Sequence, residues 1–241
     1  MLHRSRPGAP SSLAAALAVV LGLALVLAGC GGGQKAAATT SPGQVMTTAK
    51  QHFDQAKSVH IVLSTGSTPT SGNGVLGADG VITHAPAFQG NVKVVLSGLT
   101  ATVPITSTGG KVYAKLPLQT KFSVIKPSDY GAPDPADFAD PHRGLSALLT
   151  RLQGLKKGSQ TRQGNQILTS YSGTLPGATV KAVIPSASAK QTYATVVGVD
   201  QQGYAATVKI TGTFFSGSGD VTYDVTFDGY DKDVRITVPK T

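Results

Sequence analysis

The chain has 241 residues, enough for one sizeable domain with a buried core. Its formal charge is +9, with Lys and Arg numbering 21 against 12 acids, all of them aspartate. Beyond Arg4 and Arg6 the basic residues are spread from Lys35 to Lys240 and only Lys156 and Lys157 are adjacent, which excludes the dense basic patch of a nucleic-acid binder but suits an anionic lipid surface. A single cysteine, Cys30, excludes an intramolecular disulfide and a cysteine-based metal site.

Arg4 and Arg6 precede an uncharged apolar run, Leu13 to Ala28, and a small residue follows it. This is the layout of an export signal. The run has 16 residues, short of the ~20 that span a bilayer. It ends in Leu27-Ala28-Gly29-Cys30, which resembles the lipobox of bacterial lipoproteins. The resemblance implies cleavage before Cys30, lipid attached to its sulfur as a thioether, and a place on the outer face of a cell membrane. Each buried CH₂ contributes ~0.8 kcal/mol, so two or three acyl chains hold far more firmly than one. The expected organisation is a signal peptide over 1–29, a lipidated flexible tether over 30–42 and a single domain over 43–241. Residues 31–42 hold too few large apolar groups to pack.

The spacing predicts a helix from Gln44 to Lys57, with Val45, Ala49 and Phe53 on one face and Ala56 beside them. Strands follow at 60–66, 80–84, 91–98, 101–106 and 111–116, rich in Val, Ile and Thr and divided by Gly, Pro and Asn. In the third of these, Val92, Val94 and Leu96 share one face. Asp134-Pro135 and Asp140-Pro141 each read as an N-cap followed by proline at the first helical position. After the second, Leu145, Leu148, Leu149 and Leu152 form an apolar helical stripe. A short helix is expected over 178–184, with Val180, Val183 and Ile184 apolar, stopped by Pro185. Strands resume at 167–173, 192–200, 205–215, 221–227 and 234–238. About ten strands with few intervening helices argue an antiparallel sheet rather than a βαβ fold.

Three motifs have plainer readings than their chemistry suggests. Gly72-Asn73-Gly74-Val75-Leu76-Gly77 matches G-x-G-x-x-G, but a strand rather than a helix follows, so it reads as a turn. Asp220, Asp224 and Asp228 recur every four residues, ~13 Å apart on a strand, too far for one calcium ion. His52, His60, His84 and His142 are isolated, with no metal-binding spacing. No G-x-S-x-G nucleophile elbow and no P-loop is present. No metal, cofactor or catalytic group is therefore expected.

Several segments in combination resemble the mycobacterial LppX/LprA/LprF/LprG lipoproteins. They are Lys57 to Leu63, Gly90 to Leu96, Lys111 to Ala114, Pro141-His142-Arg143-Gly144-Leu145 with Leu148-Leu149, and the closing Ile236 to Lys240. The resemblance implies an α+β fold: a strongly curved antiparallel half-barrel with helices on its concave side, enclosing an apolar cavity. It further implies a non-enzymatic protein that holds multi-acyl lipids or lipoglycans and carries them through the envelope, in some members with an efflux-type membrane transporter. The expected cavity lining is Val92, Val94, Leu96, Leu145, Leu148, Leu149, Leu152, Val180, Val183 and Ile184. Two other readings compete: a structural or interaction lipoprotein with a filled core, and a hydrolase acting on envelope lipids. The absence of tryptophan and the Gly/Ser-rich stretches at 66–74 and 212–220 depart from the family pattern.

Overall fold

Ser41 sets the start of the first helix. Its hydroxyl accepts from the Gln44 N–H (3.3 Å) and the Gln44 side chain accepts from the Ser41 N–H (2.9 Å), a reciprocal cap. Pro42 then occupies the first helical position, where its missing N–H costs nothing. The helix α1 (Pro42–Gln55) buries Met46, Ala49 and Phe53, while Val45 packs at its edge. The structure is a computed structural model and describes residues 40–68, 73–96, 98–215 and 219–241. Cys30, the apolar run before it and most of the expected tether lie outside the described residues. The end of that tether, Ser41 and Pro42, already belongs to the helix and its cap.

Beyond α1 come β1 (Ser58–Thr65), β2 (Gly74–Thr83), β3 (Ala87–Leu96), β4 (Leu99–Thr108), β5 (Lys111–Ala114) and β6 (Ser123–Ile125). Two 3₁₀ helices, Pro127–Tyr130 and Pro135–Ala139, lead to the short α2 (Leu145–Leu149). Then follow β7 (Gln153–Gln163), β8 (Gln166–Pro176), α3 (Gly177–Val183), β9 (Thr192–Asp200), β10 (Ala205–Gly212) and β11 (Val221–Asp228). All the strands form one antiparallel sheet in the order β6-β5-β4-β3-β2-β1-β11-β10-β9-β8-β7. Each half of the sheet is a meander of neighbours in sequence. The halves meet where β1 pairs with β11, Ile61 opposite Phe227.

One face of the sheet is apolar and covered. In β11, Val221, Tyr223, Val225 and Phe227 are buried, while Asp224, Thr226 and Asp228 face water. Helices α1, α2 and α3 lie on the apolar face: Phe53 sets its ring edge-on to Phe227 at 5.5 Å, and Leu148 and Val183 join the same core. That core runs without a break from Met46 in α1 to Phe227 in β11, and Thr40–Thr241 form one compact unit.

The structure departs from the sequence reading in several places. β2 starts at Gly74 rather than at 80, and the helix after Asp140-Pro141 starts at Leu145 with Gly144 at its cap. The residues of β7, among them Leu155-Lys156-Lys157-Gly158-Ser159-Gln160, show no apolar alternation and give no strand signal. The strand lies on the sheet edge with both faces almost wholly exposed, and β8 is its one strand partner. β6 is a further short strand, of three residues. The stretch 234–238 has strand composition but joins no ladder, since both edges of β1, the strand nearest to where it departs, are already taken. The leucine stripe is helical only over Leu145–Leu149; Leu152 falls beyond α2, where the chain turns into β7.

His60 sits on the water-facing side of β1 and bridges both its neighbours. Its Nε2 lies 2.9 Å from Asp79 on β2 and its Nδ1 lies 2.7 Å from Asp228 on β11. Two carboxylates can only accept, so satisfying both requires both ring nitrogens to carry a proton. The imidazole pKa is accordingly raised above 6.5, chiefly by the bond to Asp79; burial lowers it, and the bond and charge of Asp228 raise it again. The sign follows. The stability this bridge contributes is complete below the ordinary histidine value and is lost as pH rises through the raised one. Thermal unfolding followed from about pH 6 to about pH 8 should show the midpoint falling, and His60→Gln should remove that part of the fall. An unchanged pH slope in the variant would discard the bridge as a stabilising element.

Candidate functional site

Sheet alternation puts every second side chain of the central strands on the covered face. Val92, Val94 and Leu96 come from β3, Val103 and Ile105 from β4, and Ile61 and Leu63 from β1. β2 contributes Val75 and Ala78, an odd spacing that a strict strand forbids. A bulge between Val75 and Gly77 shifts the register and brings both inward. From the other half of the sheet come Ile210, Tyr223 and Val225. Together they form one wall of a cavity of about 160 Å³.

The facing wall is built by the chain between β5 and α2 and by the end of α3. Leu116, Ile125, Tyr130, Pro133, Pro135 and Phe138 come from the former, and Val183 and Ile184 from the latter, with Leu145 and Leu148 of α2 between them. Two hydrogen bonds hold this cover down. The Ser107 hydroxyl donates to Asp134 at 2.6 Å, and the Ser146 hydroxyl donates to Asp54 of α1 at 2.5 Å. Lys50 pairs with the same Asp54. The entry to α2 is fixed by Asp140, which accepts from the His142 and Arg143 N–H groups at 2.8 and 3.0 Å and pairs with the Arg143 guanidinium. The bond from the His142 N–H, then that from the Arg143 side chain, hold the Asp140 carboxyl below its usual range. Near α3, the fully buried Tyr193 donates to the Thr213 carbonyl (2.5 Å) and accepts from the Ser188 N–H (2.6 Å), which fixes the chain that carries Ile184.

Among the described residues, no carboxylate, ammonium, guanidinium or imidazole lines this cavity. Its polar side chains are Ser186, Tyr130 and Tyr223. The Tyr223 hydroxyl is spent on the Val75 carbonyl, and burial drives its pKa well above the usual tyrosine value. A lining of this kind offers apolar contact. A second cavity of about 30 Å³ lies beyond α2 and shares Leu145, Leu148, Ile210 and Val225 with the first.

Of the residues expected to line a cavity, Val92, Val94, Leu96, Leu145, Leu148, Val183 and Ile184 line the larger one. Leu149 and Leu152 line the smaller. Val180 is fully buried in the core and lines neither. The sequence reading missed the contribution of residues 116–138. Its signal is a run holding Pro117, Pro127, Pro133 and Pro135 among apolar residues, too apolar for a surface loop and too proline-rich for a strand or long helix.

No sequence among the curated proteins matches the chain. Among solved structures, LprF from Mycobacterium bovis is similar with a TM-score of 0.68 and 16% identity, over 83% of this chain and 97% of that one. LppX from Mycobacterium tuberculosis is similar with a TM-score of 0.61 and 19% identity, over 81% of this chain and 98% of that one. At these identities the likeness is one of fold. The sequence itself matches the LppX_LprAFG lipoprotein family over residues 41–237, from the cap of α1 to the segment after β11, and the chain belongs to that family.

Proposed function

We propose that this protein is a lipid-anchored carrier that takes the acyl chains of a lipid or lipoglycan into the cavity between sheet and helices and conveys them through the cell envelope. The anchor is the lipid on Cys30. The carrier is not an enzyme, and an efflux-type membrane transporter is its partner in transfer. The observation that carries this reading is the 160 Å³ space lined by apolar side chains without one charge. Acyl chains gain ~0.8 kcal/mol per CH₂ on leaving water and need no catalytic group, only a dry interior of sufficient size.

Size is the demanding part. A void of ~150 Å³ accommodates a benzene molecule, so the cavity as it stands admits the end of one chain. Multi-acyl cargo requires more room. Leu145 and Leu148 divide the two cavities, and a shift of α2 joins them. Further curling of the sheet into a half-barrel around the cargo adds to the same space. The cover after β6 is suited to such movement, because its second 3₁₀ helix is tied to the sheet through the Ser107–Asp134 side-chain bond rather than by a strand ladder.

The test is direct. Residues 40–241 are purified from a lipid-rich host, extracted with organic solvent, and the extract is weighed by mass spectrometry. An acylated ligand in near-stoichiometric yield is expected, as is uptake of a fluorescent fatty-acid analogue by the stripped protein. A folded protein that yields no acylated ligand and takes up no analogue is a structural or interaction lipoprotein with a filled core.

A further inference from the structure

Antiparallel pairing sorts the loops into two groups. β1, β3, β8 and β10 end at one rim of the sheet, where β2, β4, β9 and β11 begin; β5 runs the same way but ends opposite Ile105 of β4, and the loop after it continues towards that rim. The cavity lining reaches that rim at Gly74 at the start of β2, Leu96 at the end of β3 and Ile184 to Ser186 after α3, and it includes Leu116 in the loop after β5.

Two leucines stand just outside this lining. Leu99, three residues beyond Leu96, is 76% exposed. Leu118, two residues beyond Leu116, is fully exposed and holds a left-handed φ of 68°. That conformation costs a non-glycine residue on the order of 1–3 kcal/mol, and it presents the largest possible apolar surface to water. Nothing in the fold is gained by a leucine here. Lysines surround the pair. Lys115 and Lys121 flank Leu118 in the sequence, and Lys181 and Lys190 bracket the Ile184 wall. Lys121 reaches towards the Thr241 carbonyl, and Lys181 donates to the Pro185 and Ala187 carbonyls, which holds the Lys181 charge at the rim. Against these four stand Asp220 in the same rim and Asp129 in the first 3₁₀ helix.

We propose that this rim docks on an anionic bilayer surface, with Leu99 and Leu118 inserted among the lipids and the lysine collar on the headgroups, so that the cavity faces the membrane directly. Exposed apolar residues ringed by cations are the features of an interfacial binder, and each lysine near a negative surface adds to the attraction. A protein partner would be served equally well by a flat, better-packed patch. Two isolated leucines, one at the first residue of β4 and one in a turn, are suited to a fluid medium that closes around them. The proposal deepens the carrier reading by naming the surface from which lipid is taken, and it stands or falls by a separate measurement.

Residues 40–241, which form one compact unit with the whole core, are floated with vesicles of mixed phosphatidylglycerol and phosphatidylcholine, and with phosphatidylcholine alone. The protein is expected to float with the anionic vesicles, less so as salt rises and hardly at all with the neutral ones. The double variant Leu99→Ser/Leu118→Gly should bind about tenfold more weakly or worse. Glycine suits the left-handed position, so this variant keeps its fold and its uptake of a free fatty-acid analogue from solution. Lys115→Gln/Lys190→Gln should lose the preference for anionic vesicles. Equal flotation of wild type and the leucine variant, or no flotation of wild type at low salt, overturns the docking surface. If wild type takes up no analogue yet floats as described, the docking surface is upheld and the carrier reading fails.

Discussion

Val92→Trp is expected to lower the lipid recovered with the purified protein by about tenfold while leaving it folded. Val92 is 8% exposed, sits mid-wall in β3 opposite Ala78 and Val103, and points into the larger cavity. An indole there takes up a large part of 160 Å³ that is otherwise empty. Overpacking a filled core costs about 1–3 kcal/mol. Filling an existing void costs less, because the added atoms gain contacts that the wall lacked. Extraction and mass spectrometry read the loading, and urea unfolding reads the stability. Normal loading in the variant takes Val92 out of the lipid path. A loss of stability well beyond the overpacking range means that the cavity is too rigid to admit a ring, and hence a chain.

Gly144→Ala should be the most destabilising small substitution at the site, by about 3 kcal/mol. A Cβ on Gly144 meets the Phe138, Asp140 and Asp137 carbonyl oxygens at 2.4, 2.6 and 2.8 Å. All three are backbone atoms that cannot swing aside. The Gly144 N–H also donates to the Asp140 carbonyl at 2.7 Å, which pins the chain where it enters α2. Relief of the clash must therefore move α2, and with it Leu145 and Leu148, the partition between the cavities. Lipid loading should fall together with the unfolding midpoint. The contrasting change is Gly43→Ala, inside α1 with nothing within 4 Å, which should raise stability by about 0.5–1 kcal/mol. If Gly144→Ala behaves like Gly43→Ala, the close approach of the three carbonyls is not a constraint on the fold.

The parts of the fold that carry a strong period were legible in the sequence. The alternation of Val221, Tyr223, Val225 and Phe227 marks β11, and the Ala49 and Phe53 face marks α1. The alternation in β3 likewise puts Val92, Val94 and Leu96 on one face, because inward positions of a strand are fixed by parity once one is known. What failed has a common cause. β7 is a strand because β8 offers it an edge, not because its polar residues prefer one. The 234–238 stretch is the converse, with the composition of a strand but leaving β11 beside β1, whose edges are both taken. Residues 116–138 have no period, so no pattern shows that they roof the cavity. The exposure of the two outer leucines, Leu99 at the start of β4 and Leu118 in a turn, depends on the surrounding fold rather than on neighbours in sequence. The spacing of the Leu145 stripe continues to Leu152 although the helix ends at Leu149.

The meeting of β1 and β11 has a consequence for how the molecule comes into being. These strands lie at the middle of the finished sheet, yet His60 and Asp228 are 168 residues apart in the chain. During synthesis β1 is made early, gains β2 at once, and then keeps its other edge bare until the last strand arrives. A bare, apolar central strand is the kind of edge that pairs with foreign chains. The seam is thus the slowest contact to form and the one most in need of protection beforehand. The exposed charge of His60, with Asp79 beside it on β2, stands near that edge while it waits, and the bridge is completed when Asp228 arrives with β11.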